Sequence, residues 1–74
     1  MKKLYIKQLA DGLFARTKEE LATDYDLDCA KTVGVVNVKN YCGGIYATSW
    51  GDHKKHLAQR AVEAYRDGID TIDD

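Results

Sequence analysis

The stretch LYIKQLADGLFART, residues 4–17, has a similar counterpart later in the chain. A shift of 32 residues places it on VNVKNYCGGIYATS, residues 36–49. Three of the fourteen aligned pairs are identical, namely Lys7/Lys39, Gly12/Gly44 and Ala15/Ala47, and six more are conservative. A period of this size is typical of one supersecondary unit used twice. Two separate hairpins, each followed by a helix, are the alternative interpretation.

Each of the two stretches contains a residue pair suited to a tight turn. Asp11-Gly12 and Gly43-Gly44 tolerate the positive φ angles of a two-residue hairpin loop. Thr17 and Ser49 follow the second strands and are good helix N-caps, and Thr17 to Glu20 reads as a capping box. We therefore predict a two-layer α+β fold with order ββαββα and a possible internal pseudo-twofold. Two helices would cover one face of a four-stranded, mainly antiparallel sheet.

Length and composition are typical of one small domain over residues 1–74. Hydrophobic residues make up 45% and charged residues 31%, which is too apolar for a disordered chain. A net charge of −1 provides no electrostatic attraction of the whole chain to nucleic acid or to a membrane. We see no apolar run of membrane-spanning length, no signal peptide and no cysteine framework, and we predict a cytoplasmic protein. The expected repeat units cover 3–32 and 35–69, and residues 70–74 are expected to form a frayed acidic tail.

Two regions between and after the predicted strands have helical character. Residues 18–31 follow a helical pattern that three aspartates interrupt, which predicts a kink or two short helices meeting near Asp26. From Trp50 to Asp67 an apolar stripe predicts the last helix. Gly68 is placed to end this helix as a C′ glycine. The stripe consists of Leu57, Ala58, Ala61, Val62 and Tyr65, with Ala64 at its edge.

A turn at Asp11-Gly12 separates the first hairpin into an aliphatic face and a face of rings and cations. The aliphatic face carries Leu4 and Ile6 and suits packing beneath helices. Burying Arg16 and the lysines without partners would be costly, so we expect the other face to be exposed. Such faces are enriched in protein interfaces, although cross-strand ring pairs also stabilise hairpins by themselves. The predicted partner-binding surface consists of Tyr5, Lys7, Leu9, Phe14, Arg16, Lys39, Tyr41 and Tyr46.

Nucleic-acid binding is the alternative function, because bases stack on rings while cations hold phosphates. The stretch GDHKKHLAQRAV, residues 51–62, resembles the start of the last helix in double-stranded-RNA-binding domains. Paired lysines contact phosphates there, but Ala58 stands where that family has a further lysine, and the resemblance covers this helix alone. In this alternative the ring-and-cation face acts together with Lys54, Lys55 and Arg60.

The aspartates between the two predicted units match a calcium loop only at its opening. Asp24-x-Asp26-x-Asp28 has the right spacing, but Cys29 and Val35 occupy the positions that need glycine and glutamate. A helix N-cap or a solvated helix face explains these aspartates better. A secondary acidic patch, suited to a basic partner surface, consists of Glu19, Glu20, Asp24, Asp26 and Asp28.

The cysteines and histidines are donors that zinc accepts, but their spacing does not match a zinc site. Cys29 and Cys42 lie farther apart than the two to four residues usual in structural zinc sites, and His53 and His56 follow on the last helix. A Cys42 nucleophile with His53 as base lacks a third, orienting residue. We therefore predict no metal, no cofactor and no enzymatic activity.

The absence of a catalytic pattern in so short a chain favours a function based on binding alone. We predict an adaptor or an inhibitor, of the kind that phages and mobile elements encode. Its partner would be another protein or a second copy of this chain. A small Cys/His enzyme or a zinc site is the third interpretation.

Overall fold

The computed structural model describes residues 1–41 and 50–74, of which 50–55 are described by their backbone alone. The chain is a small α+β fold with one four-stranded sheet and three helices in this part. The strands are β1 (Lys2–Leu9), β2 (Gly12–Arg16), β3 (Lys31–Lys39) and β4 (Thr71–Asp73). The helices are α1 (Lys18–Leu21) and α2 (Tyr25–Cys29), which lie between β2 and β3, and α3 (Trp50–Arg66), which precedes β4.

The sheet has the order β2-β1-β3-β4 and is mixed. β1 is antiparallel to both β2 and β3, whereas β3 and β4 are parallel. The prediction of a mainly antiparallel sheet is therefore wrong, because residues 70–74 do not form a frayed tail. Asn37 N–H donates to Asp70 O at 2.7 Å, and Asp74 N–H donates to Lys39 O at 3.0 Å. These bonds hold the C-terminal segment on the sheet as its fourth strand.

The second predicted hairpin is not confirmed. Its turn, Gly43-Gly44, lies outside the described residues. A hairpin turning there would pair Lys39 with Thr48, but Lys39 pairs with Asp73 of β4. The opposite edge of β3 pairs with β1, so both edges are already occupied. The described elements therefore do not follow the order ββαββα, and the internal duplication stays a prediction.

The first hairpin turns one residue earlier than predicted. Its loop is Ala10-Asp11, and Gly12 begins β2 with a φ of 146°. The positive φ falls just after the loop, where glycine adopts it without a Cβ penalty. Ala15 consequently lies opposite Ile6 and not opposite Gln8. Because this shift is two positions along β1, every residue keeps its predicted face.

The aliphatic face of the sheet packs against α3, as the sequence predicts. Ile6, Val36 and Val38 are fully buried at the centre of this layer. Burying a side chain of this size contributes about 1.5–3 kcal/mol to folding. The buried core cluster consists of Leu4, Ile6, Ala15, Val36, Val38, Leu57, Ala61 and Ala64.

Gly68 ends α3 in the way that the sequence predicts. Its φ is 77°, its N–H donates to Tyr65 O at 3.1 Å, and the Ile69 N–H donates to Ala64 O at 2.8 Å. This pair of bonds is a Schellman motif, which satisfies carbonyls that a helix end leaves without partners. The chain then turns directly into the segment that forms β4.

The ring of Tyr65 on α3 packs directly over Gly34 of β3. A Cβ placed there would lie 2.5 Å from Cε1 and 2.8 Å from Cδ1 of Tyr65. Carbon atoms in good contact are about 3.5–4.0 Å apart, so a methyl group would displace the ring. Glycine at this position therefore leaves the space that the Tyr65 ring occupies.

The interrupted helical pattern of residues 18–31 forms two short, separately capped helices, one of the two predicted outcomes, but the break lies before Asp24 and Asp26 is inside α2. Thr17 makes the predicted capping box, in which Oγ1 accepts from Glu20 N–H at 3.2 Å and Thr17 N–H donates to Glu20 Oε1 at 2.9 Å. Asp24 caps α2 by accepting from Leu27 N–H at 3.2 Å. These caps end and restart the chain as two helices of four and five residues, with residues 22–24 between them.

Lys7 is buried, which differs from the prediction that it lies on an open face. Its side chain is 6% exposed, and its Nζ donates to Asp28 O and Ala30 O, both at 3.1 Å. These carbonyls lie at the end of α2, where a helix leaves acceptors unpaired and favours a nearby cation. The ammonium group therefore connects β1 to the end of α2 from within the protein.

Candidate functional site

The predicted ring-and-cation face is only partly assembled. Tyr5 and Leu9 are half-buried, and Lys39 is exposed. The Nζ of Lys7 donates its hydrogen bonds to carbonyls at the end of α2. Tyr46 lies outside the described residues. The remaining three members of the predicted set come together elsewhere, beside the outer edge of β2.

A groove of about 730 Å³ lies between β2 and α3. Phe14, Arg16 and Tyr41 line it, so three of the predicted site residues meet here. This volume lies within the range of protein binding pockets. The aliphatic and phenyl side chains of the lining are those of Leu4, Leu13, Phe14, Ala15, Leu57, Ala58 and Val62.

Charged residues of both signs stand around this apolar lining. Glu20 and Glu63 contribute two carboxylates, and Arg16 and Arg66 contribute two guanidinium groups. These four formal charges cancel, so the groove has no net preference for an anionic or a cationic ligand.

Arg16 lies across the edge of the groove. Its guanidinium carbon is 5.8 Å from the centroid of the Phe14 ring, within the range of a cation–π contact. Its Nη1 donates to Ala15 O at 2.7 Å. The side chain thus partly covers both a ring of the groove and a carbonyl of β2.

Tyr41 lies close to a pair of opposite charges. Lys2 Nζ is 5.9 Å from the centroid of its ring and 2.7 Å from Glu19 Oε2. The hydrogen bond from Lys2 lowers the pKa of Glu19 below its ordinary value. Burial, followed by the nearby charge of Glu20, raises the pKa of Tyr41 above its ordinary value. The Tyr41 hydroxyl is therefore neutral at pH 7 and can donate a hydrogen bond.

The backbone of β2 forms one edge of the sheet, and its polar groups alternate in direction. Asn37 N–H and Lys39 C=O bond to the β4 side of β3. Between Gly34 and Val38, before the β-bulge at Ile6/Lys7, the even-numbered residues of β3 therefore direct their backbone groups toward β1, where Val36 lies opposite Leu4. It follows that the even-numbered residues of β1 direct their backbone groups toward β3. The odd-numbered residues of β1 then face β2.

The same alternation identifies the outward-facing groups of β2. Phe14 and Arg16 lie opposite the odd-numbered residues Lys7 and Tyr5, so their N–H and C=O groups point into the sheet. The N–H and C=O groups of Leu13 and Ala15 consequently point away from it. Within the part of the chain that the structure describes, β2 has no strand on this side. An open edge of this kind is a template for pairing with another chain.

The residues of the nucleic-acid alternative are not assembled into a site. Arg60 Nη2 donates to Asp73 O and so contacts β4. The side chains of Lys54 and Lys55 lie outside the described residues. Lys7, the cation nearest the middle of the first hairpin, is buried.

The residues considered for metal binding and catalysis lie apart or outside the described part of the chain. Cys29 is exposed and free, whereas Cys42 and the side chain of His53 are not among the described residues. His56 is exposed. Across residues 1–41 and the described side chains of α3 and β4, no three His, Cys, Asp or Glu residues form a group able to hold a metal ion.

The predicted acidic patch is divided among local roles. Glu19 is bonded to Lys2, and Asp24 caps α2. Asp26 and Asp28 are exposed, and Tyr25 between the aspartates is 79% exposed. The patch is accessible, but its members do not converge on one point in the described structure.

The sequence pattern does not separate the residues of the groove from those of the core. Leu13 and Val62 follow the period of the buried faces, and that period does not distinguish a core position from the wall of a groove. Glu63 and Arg66 follow the pattern of a solvated helix face. The position of β2 at the sheet edge is what places these residues in a site, and strand order is not readable from local pattern.

Comparisons with protein-family models, with curated proteins and with solved structures gave no match to this chain. No helix in the described part of the chain is both long enough and apolar enough to cross a membrane.

Proposed function

We propose that this chain is a small, non-enzymatic protein-binding module that binds its partner at the open edge of β2 and in the adjoining groove. The outward-facing N–H and C=O groups of Leu13 and Ala15, which lie beside an apolar groove, carry this proposal. An extended partner segment would pair with these groups, and alternate side chains of that segment would enter the groove. An adaptor or an inhibitor requires no more than such binding.

The expected affinity follows from modest individual contributions. A backbone hydrogen bond contributes about 0.5–1.5 kcal/mol net, and apolar burial contributes about 25 cal/mol per Å². Because the charges around the groove cancel, attraction over long distances adds little. Binding is therefore expected to change little between low and high salt.

Nucleic-acid binding has less support at the same surface. It depends on cations that neutralise phosphates, and its affinity falls steeply with salt. Lys7 is buried and Arg60 is bonded to Asp73, while the cations of the groove are balanced by carboxylates. Sensitivity to nuclease is accordingly one of the outcomes that the following experiment distinguishes.

The proposal is tested by affinity capture from a lysate of the source cells with three baits. These are the unmodified chain, Leu13→Pro and the matched control Leu13→Val. Proline removes the outward-facing N–H of residue 13 but no hydrogen bond to β1, and valine retains it. Circular dichroism establishes beforehand that all three baits are folded.

We expect proteins that bind the unmodified chain and Leu13→Val but not Leu13→Pro, with or without nuclease treatment. Capture that is equal on all three folded baits would overturn the assignment to the β2 edge. Capture that nuclease abolishes would replace the proposal by the nucleic-acid alternative.

A further inference from the structure

We propose that the occupant of the β2 edge is a second copy of this chain, whose own β2 pairs antiparallel across a twofold axis. This inference rests on the proposed function and names the partner. The two sheets of four strands would join edge to edge into one sheet. Its support comes from the register, the side chains and the charges of β2 and the groove.

The backbone of β2 permits one fully bonded register. Its outward-facing groups belong to Leu13 and Ala15 alone. When Leu13 lies opposite Ala15 of the second copy, both pairs exchange N–H···O=C bonds, which makes four bonds in total. A register in which Leu13 lies opposite Leu13 of the second copy, or Ala15 opposite Ala15, forms only two hydrogen bonds. The register with four bonds is therefore the preferred one.

The side chains of β2 are complementary to themselves in this register. Leu13 lies opposite Ala15 on the side of α3, so a large side chain meets a small one. Arg16 lies opposite Gly12 on the other side, where the guanidinium group has room. Phe14 lies opposite Phe14 of the second copy at the axis, in the type of pair where side chains approach most closely. An unrelated partner strand would match this pattern only by chance.

The groove provides a second set of contacts between the two copies, on the side of α3. A twofold axis perpendicular to the sheet places both α3 helices on the same side of the joined sheet, running antiparallel. α3 packs against β2 within each copy, so the apolar groove of one copy would face that of the other. Glu63 and Arg66 of one copy can then face Arg66 and Glu63 of the other. This exchange of opposite charges on α3 suits a surface that meets itself.

The side chain of Arg16 competes with this pairing for the Ala15 carbonyl. In the single chain its Nη1 donates to Ala15 O at 2.7 Å. Pairing replaces this bond by one from Leu13 N–H of the second copy. A charged side chain that covers an edge strand is a common protection against association. The dimer is therefore reversible and forms with rising protein concentration.

Sedimentation equilibrium over a concentration series, joined to site-specific cross-linking, tests this inference. For cross-linking, Cys29→Ser and Cys42→Ser provide a background without native thiols. Phe14→Cys places a thiol at the axis, where the Cα separation of such a pair suits a disulfide. Lys31→Cys is the matched control, because residue 31 is exposed on β3 away from the β2 edge.

We expect the unmodified chain and Leu13→Val to dimerise at high concentration and Leu13→Pro to remain monomeric. Under mild oxidation, Phe14→Cys should give a covalent dimer at least tenfold faster than Lys31→Cys. A monomer at all concentrations, or equal cross-linking of both cysteine variants, would overturn the inference. If the chain is monomeric but Leu13→Pro loses its captured proteins, the proposed function stands without the second copy. If neither dimer nor selective capture is found, both proposals fail.

Discussion

Replacing Gly34 by alanine tests the packing that positions α3 above the sheet. The added Cβ would lie 2.5 Å and 2.8 Å from two ring carbons of Tyr65. Relief of this overlap requires the ring to move by about 1 Å, since carbon atoms in contact are about 3.5–4.0 Å apart. Tyr65 packs against the buried cluster, so displacing its ring disturbs that packing. Overpacking of this kind costs about 1–3 kcal/mol.

The sign of the change in the free energy of unfolding distinguishes steric overlap with Tyr65 from the backbone effect of replacing a glycine. Glycine within a strand is about 0.5–1 kcal/mol less favourable than alanine, so without the overlap Gly34→Ala would stabilise the protein. With the overlap we expect the free energy of unfolding to fall. Urea denaturation followed by far-UV circular dichroism measures the difference.

A double-mutant cycle with Tyr65→Ala supplies the control for Gly34→Ala. In the Tyr65→Ala background the ring is absent, so Gly34→Ala is expected to be neutral or stabilising. Equal destabilisation by Gly34→Ala in both backgrounds would refute the reasoning. Stabilisation in the otherwise unmodified chain would refute it as well.

Two further predictions concern Lys7 and Glu19. Lys7→Met removes two hydrogen bonds from a buried ammonium group to the end of α2, and we expect a loss of about 1–3 kcal/mol in urea denaturation. Lys3→Met, an exposed change on the same strand, should stay within about 0.5 kcal/mol, and an equal effect of both would contradict the role of Lys7. The lowered pKa of Glu19 means that its stabilising contribution is present above the ordinary pKa of 4.5 and is lost as pH falls through the lowered value. An NMR titration should place its midpoint below 4.5, and Lys2→Gln should raise it; an unchanged midpoint would show that Lys2 is not the cause.

The parts of the fold that the sequence predicts are those with local causes. The capping box at Thr17 and the Schellman motif at Gly68 depend on residues within one turn of helix. The two faces of the first hairpin were predicted correctly although its turn was misplaced. The actual register differs by two positions along β1, and a strand alternates its faces with a period of two.

The parts that the sequence does not predict depend on distant backbone groups. β4 has three residues and pairs through its main chain, so Thr71 to Asp73 show no strand pattern of their own. The partners of Lys7 are carbonyls 21 and 23 residues away, which no side-chain pattern reveals. The groove likewise arises because β2 is an edge strand among the described strands, a consequence of the strand order.

Amide hydrogen exchange along β2, measured by NMR at low and high protein concentration, tests the open edge and its pairing most directly. At low concentration the amides of Leu13 and Ala15 should exchange fast, whereas those of Phe14 and Arg16, which bond to β1, should exchange slowly. At high concentration Leu13 and Ala15 should become protected as the second copy pairs with them. Protection of all four amides at every concentration would contradict the open edge, and fast exchange of Leu13 and Ala15 at every concentration would contradict the pairing.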